Sequence, residues 1–187
     1  TSNTTLSEPA AGYDLEELRN LGADEQIDLI DPARLAVTSP YVVGQFLGRL
    51  DVDNRRRVLR MIPVELATDI LAEMDAEDAA DVVEAMRERR AVQILEGLDP
   101  DDSADIVAEL DEADQKRLLD QVDPETAATV RNLIEFDPDS AGGIMTPEVA
   151  TVTPDMTVLQ AVQHIRKLND ELEHIYYIYV TDKGKHL

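Results

Sequence analysis

The chain of 187 residues has no cysteine, no tryptophan and only 4% aromatic residues. Without cysteine there are no disulfides, thiolate metal sites or cysteine nucleophiles; a reducing compartment fits this absence but is not fixed by it. With so few aromatics the core has to be assembled from Leu, Ile, Val, Met and Ala, as in packings of small helices. Basic residues are scarce too: 17 Lys and Arg stand against 40 Asp and Glu, a formal net charge of −23. That balance argues against non-specific binding to nucleic acid or to an anionic membrane, both of which need clustered positive charge. It suits cations, or plain solubility. No run of about 18 uncharged apolar residues occurs, so no segment reads as a membrane span. Thr1–Gly12 has neither the basic nor the apolar region of a signal peptide and reads as a disordered tail. The 43% of hydrophobic residues is nevertheless that of a globular chain.

What is present is a repeat. The segment from Leu98 to Val107 matches that from Met74 to Val83 at an offset of 24, and half-steps of 12 also align. Seven units begin at 50, 62, 74, 86, 98, 110 and 122. The second position is Asp in five of the seven, placed to accept from the free amides of a helix's first turn. Pro follows in the units at 98 and 122, where a missing N–H costs nothing. Asp99 and Asp102 stand in capping-box spacing. Apolar residues at the sixth (often Ala), ninth and tenth positions share one helical face, and the first position staples the cap. Helices this short are marginal alone, so they have to stack, and the pattern predicts an α-solenoid whose structural repeat is the 24-residue pair. The first helix is expected at Ser39-Pro40. Leu15–Leu21 and Ile27–Ala36 read as weaker helices broken by Gly22 and Pro32. The expected divisions are an N-terminal tail with weak helices over 1–35, the helical-repeat domain over 36–135, and a hinge with an incomplete α/β domain over 136–187.

The pattern changes after Phe136. Asp137–Gly143 is turn-rich and reads as a flexible junction. A short strand over Val149–Val152, a helix over Val158–Lys167 opened by Thr157, and a buried strand over Ile175–Val180 (IYYIYV) form the start of an α/β unit. Its returning strand is missing at Leu187, so a second domain is expected to run on.

Taken together, the repeats, the junction Ala141-Gly142-Gly143-Ile144-Met145-Thr146-Pro147 and the IYYIYV strand resemble the cytosolic part of the MgtE family of magnesium transporters. The resemblance covers roughly 36–187. The repeats alone also resemble the flagellar motor-switch protein FliG. The resemblance implies a superhelical N-terminal domain joined to the first of two CBS domains, in a protein that also carries a connecting helix and a membrane pore. It implies a cytoplasmic, Mg²⁺-sensing regulatory region that closes the pore when intracellular Mg²⁺ is high. The full-length protein would be a homodimer of the cell membrane, and this segment's partners would be its own CBS and transmembrane domains. The alternative is a helical-repeat interaction module, FliG-like or from a soluble CBS protein, that senses no metal.

Between Asp99 and Asp139 there are 14 acidic residues and 3 basic ones, Lys116, Arg117 and Arg131. The plain reading is an acid-capped, solvated helix surface. The functional one is a cation-sensing face. Asp101 and Asp105 lie on one side of a helix, about 5–6 Å apart at Cβ, where like charges are mildly destabilising unless a cation relieves them. Mg²⁺ is bound by one or two carboxylates and keeps most of its waters, though the spacing does not distinguish it from Ca²⁺ or Mn²⁺. The resemblance implies regulatory, weak Mg²⁺ sites at Asp101 and Asp105 and at Asp69, where the family pattern can carry Glu. It implies an ATP contact at Tyr177, against a plain reading as a packed strand tyrosine. His164, His174 and His186 have no metal-ligand spacing. The clusters Arg55, Arg56, Arg57 with Arg60, and Arg87, Arg89, Arg90, are expected to pair with acids across stacked helices. Nothing resembles a nucleophile–base pair or an acid–base dyad, so no enzyme is expected.

Overall fold

The computed structural model describes residues 11–23, 27–147, 149–168, 175–182 and 184. The seven units appear as seven helices: α4 (Val52–Leu59), α5 (Val64–Ala72), α6 (Ala76–Ala85), α7 (Glu88–Gly97), α8 (Pro100–Ala108), α9 (Glu112–Leu119) and α10 (Pro124–Ile134). Each starts two residues into its unit, after the staple and the cap. They are preceded by α3 (Pro40–Leu47), entered through Ser39 as expected. Among the described residues no strand interrupts 50–135.

The caps explain the phase. The Asp51 carboxylate accepts from the Asn54 amide at 3.0 Å and Asp75 from Glu77 at 3.2 Å. Asp111 accepts from Asp114 at 2.8 Å, and Asp123 from Glu125 and Thr126 at 3.0 and 3.1 Å. Asp99 departs from the expectation. Its backbone is extended as a cap requires, but its side chain makes no cap hydrogen bond, and the first turn is closed by the backbone bond from Ser103 N–H to the Asp99 carbonyl at 2.9 Å.

The apolar face packs as the 24-residue period requires. α3, α5, α7 and α9 stack in one row and α4, α6, α8 and α10 in another. The sixth, ninth and tenth positions of the units form the interior: Ala67, Ile70 and Leu71, then Ala79, Val82 and Val83, then Ala91, Ile94 and Leu95, are all at most 1% exposed. Burying a Leu, Ile or Val contributes about 1.5–3 kcal/mol, which holds helices that would not persist alone. One sixth position is charged. Arg55 is buried, pairs with Asp78 on α6 at 2.7 Å and donates to the Leu47 carbonyl at 3.0 Å.

The N-terminal segments join the same core. α1 (Leu15–Ala23) packs on α3, a 3-10 turn covers Ile27–Leu29, and α2 spans Pro32–Leu35. Leu18, Ile27, Ile30 and Leu35 are buried. Two expectations are corrected here. Gly22 lies inside α1 rather than ending it, because Phe46 closes over that point: an added Cβ would come within 2.9 Å of Phe46 Cε2. Pro32 starts a helix rather than breaking one, at the first helical position behind the Asp31 cap. The disordered-tail reading of Thr1–Gly12 falls, up to residue 10, outside the described residues.

Beyond Phe136 the chain winds through turns held by Ser140 N–H to the Asp137 carbonyl at 2.9 Å and Gly143 N–H to the Ser140 carbonyl at 3.1 Å. Next come β1 (Ala150–Val152), α11 (Val158–Leu168) and β2 (Ile178–Val180). The strands pair in parallel with Thr151 opposite Tyr179 and α11 as the crossover. Thr157 and Gln160 form a capping box at the start of α11: the Thr157 amide donates to Gln160 Oε1 at 2.8 Å and the Gln160 amide to Thr157 Oγ1 at 3.3 Å. The expected buried strand over Ile175–Val180 is corrected. Only its last three residues are strand, and all three are exposed. The apolar face of α11 is open as well, with Val158 at 82% and Leu159 at 68%. Two short strands and one helix do not have enough surface to cover one another.

Candidate cation site and nucleotide contact

Asp101 and Asp105 are brought together by the first two turns of α8. Both line a small cavity, about 90 Å³, between α8, the end of α10 and the junction residues Phe136, Pro138 and Gly143. Asp101 is half-buried, and its Oδ1 is fully buried with no hydrogen-bond partner among the described residues. Asp105 is exposed. Its carboxyl is pushed above the ordinary aspartate value, first by partial burial, then by the charges of Asp101 and Glu109 one turn to either side. The pair thus has what a divalent cation relieves: adjacent carboxylates held at a desolvation cost, one of them with an orphaned acceptor. Among the described residues no group of three or more His, Cys, Asp or Glu is arranged to hold a metal. The pair fits a hydrated Mg²⁺, which needs only one or two carboxylates, and not a stripped ion in a full protein cage.

Asp69 sits elsewhere. It is exposed on α5 and lines a groove against α7 with Glu65, Gln93 and Glu96. An adjoining hollow carries Asp69 on to Asp99 and Asp102 at the start of α8. The sequence reading did not gather these acids. The 24-residue period was the available signal, since it sets Gln93 one structural repeat from Asp69 across the α5–α7 contact. Glu109, four residues beyond Asp105, was equally readable from helical spacing.

Tyr177 is 74% exposed, with its ring centroid 6.5 Å from that of Tyr179. It is not a packed strand tyrosine, because among the described residues nothing covers that side of β2. Of the histidines, His164 lies half-buried on α11, and His174 and His186 fall outside the described residues. The first arginine cluster pairs with acids across elements in Arg55–Asp78 and Arg57–Asp28 and within α4 in Arg56–Asp53, whereas Arg87, Arg89 and Arg90 form no ion pair among the described residues, against the expectation for that cluster. More of their bonds go to carbonyls. Arg56 reaches the Ala85 carbonyl at 3.0 Å, and Arg90 the carbonyls of Leu59 and Ile62 at 2.8 and 3.1 Å. The reason is that helix C-termini leave carbonyls without intrahelical partners, and stacking brings those ends beside the neighbouring helices' arginines.

Among the described residues no helix is long and apolar enough to cross a membrane. Residues 38–139 match the family model described as the MgtE intracellular N domain, and residues 141–187 match the CBS domain. The chain is 44% identical over 59 residues to the magnesium transporter MgtE of Thermus thermophilus, covering 31% of this chain and 13% of that protein. It is 34% identical over 61 residues to the magnesium transporter MgtE of Enterococcus faecalis, covering 33% of this chain and 14% of that protein. These matches therefore span only a small part of the relatives' length. Two solved structures share the fold over 92% of this chain and 68% of theirs. One is the soluble part of a magnesium transporter, with TM-score 0.73 and 25% identity; the other is the cytosolic domain of the Mg²⁺ channel MgtE in complex with ATP, with TM-score 0.72 and 32% identity. With its helical repeats matched over more than half of its length, the chain belongs to the MgtE intracellular N domain family and continues into a CBS domain.

Proposed function

We propose that this chain is the cytoplasmic Mg²⁺-sensing region of a magnesium transporter or channel of the cell membrane, acting to close its pore when intracellular Mg²⁺ is high. The observation that carries the reading is the Asp101–Asp105 pair: partial burial, and then the charge of Asp101, raises the Asp105 pKa, and Asp101 Oδ1 has no hydrogen-bond partner among the described residues. Asp101 and Asp105 would hold a hydrated ion as a half-site, completed by acids of a facing domain or subunit; Asp69 would contribute a second half-site in the groove between α5 and α7. Two unit charges about 4 Å apart at an effective dielectric near 20 repel by roughly 4 kcal/mol before salt screening. Without cation, acidic faces would stand apart. With Mg²⁺ they would close about the Asp137–Gly143 junction, and the ion shifts this equilibrium only through its preference for the closed arrangement. Tyr177, exposed beside β2, is the candidate contact for ATP, the ligand of one similar structure. Homodimerisation would bring two acidic faces into the same assembly.

The test is the full-length protein carrying Asp101→Asn and Asp105→Asn, assayed for Mg²⁺ protection from protease and for Mg²⁺-dependent closure. The reading expects both to require more Mg²⁺ than in the parent. Closure at the parent's concentration would reduce the two residues to helix-surface acids.

A further inference from the structure

A second cavity, of about 450 Å³, has the opposite charge. It lies between the end of α4 and the turn joining α6 to α7, and it is lined by Arg56, Arg60, Arg87 and Arg90 with Ala85 and Met86 as an apolar floor. Four guanidinium groups around one hollow are unexpected on a chain of net charge −23. Their structural roles account for only two of them. Arg56 and Arg90 are anchored by carbonyls of Ala85, Leu59 and Ile62. Their Nε atoms are buried and unpartnered. Arg60 and Arg87 are exposed and form no ion pair among the described residues; Arg60 only returns a bond to the Arg56 carbonyl at 3.3 Å. Among the described residues the one carboxylate paired with the set is Asp53, 3.2 Å from Arg56 and itself 78% exposed.

The start of α7 adds to the positive charge. Its cap position, Asp in five units, is here Arg87, which makes no side-chain cap bond. The acid of its first turn, Glu88, is drawn away to α9, where it meets Arg117 at 3.1 Å and Gln121. The start of this ten-residue helix therefore carries an arginine and no side-chain cap, and its end of the helix dipole is positive.

We propose that this cavity binds a small, free phosphate-bearing anion. Its volume is in the range of small-molecule sites. Guanidinium groups match phosphate oxygens in paired hydrogen bonds, and two of the four are already fixed in place, so little ordering cost remains. The hollow is local and concave within an acidic surface, which suits a compact solute rather than a membrane plane. The proposal does not rest on the magnesium reading and uses none of its residues.

The experiment titrates the 187-residue chain with inorganic phosphate and with pyrophosphate at constant ionic strength without Mg²⁺, following arginine Nε–H and backbone amide resonances. Saturable shifts are expected at Arg60, Arg87 and the first amides of α7, tighter for pyrophosphate. The R60Q/R87Q chain, altered only at exposed positions, should fold with an unchanged melting temperature and lose about tenfold in affinity per arginine removed. Tyr177→Ala should leave the binding as it was. Non-saturating shifts, or equal affinity in R60Q/R87Q, would overturn the proposal. So would shifts that follow protein concentration and a dimer in sedimentation, which would mean the hollow receives the acidic face of a second copy.

Discussion

Replacing Asp105 by Asn should stabilise the chain at neutral pH, although it removes a charged, exposed residue of the kind usually regarded as neutral. Asp101 and Glu109 lie one turn to either side of Asp105, and each like-charged i, i+4 pair costs about 0.2–0.5 kcal/mol. Partial burial adds to the cost of the charge and is the larger cause of its raised pKa. Asn and Asp have similar helix propensity, so the exchange is close to a pure charge deletion. A gain of about 0.5–1 kcal/mol in urea denaturation at low salt is expected, read as a higher midpoint at unchanged slope. Because the folded pKa lies above the ordinary aspartate value of 3.8, the parent recovers stability as pH falls through that folded midpoint, and the recovery is complete below 3.8. The two chains should therefore converge in acid. Millimolar Mg²⁺ at neutral pH should narrow the gap from the other side, by stabilising the parent alone. A variant no more stable than the parent, or a gap that neither acid nor Mg²⁺ narrows, would show that the pair carries no unrelieved repulsion.

Three further outcomes follow from the same geometry. Asp123→Ala should lower the urea midpoint, since its carboxylate caps two amides of α10; the hydrogen bonds hold its pKa low, so the gap should persist as pH falls and close only below the ordinary 3.8. Arg55→Met should cost about 3 kcal/mol by chemical denaturation, because it strips Asp78 of its 2.7 Å partner and leaves the Leu47 carbonyl with the Leu50 amide alone as donor; a loss under about 1 kcal/mol would refute the pair's role. Gly143→Ala would place a Cβ 2.3 Å from the Asp137 carbonyl oxygen and should loosen the junction, seen as faster proteolysis within 137–145 while the repeats melt unchanged.

The repeat was readable because its signals are local. An Asp cap, a staple and three apolar positions recur every 12 residues, and each helix begins where its unit places it. The 24-residue offset even named the stacking partner, since identical faces recur at that spacing. Asp101 and Asp105 could be paired for the same reason: helical geometry alone sets residues four apart on one side. The segments before Ser39 were harder, because Gly22 and Pro32 have two readings each. Gly22 breaks a helix unless a neighbour such as Phe46 needs its missing Cβ, and that neighbour is 24 residues away.

The IYYIYV run shows the limit from the other side. Its composition specifies a strand that prefers cover, yet composition does not say whether anything lies over it, and in this structure β2 is exposed. The sequence by itself determined the helices, their caps, their 24-residue stacking and the acidic pair, all matters of backbone hydrogen bonding and side-chain period within one or two turns. Only the tertiary structure decided which groups from distant units meet. Arg56 and Arg60 come beside Arg87 and Arg90, Asp69 comes beside Glu96, and the junction folds against Asp101. Those meetings follow from how short helices stack and where their ends fall, which no local period records.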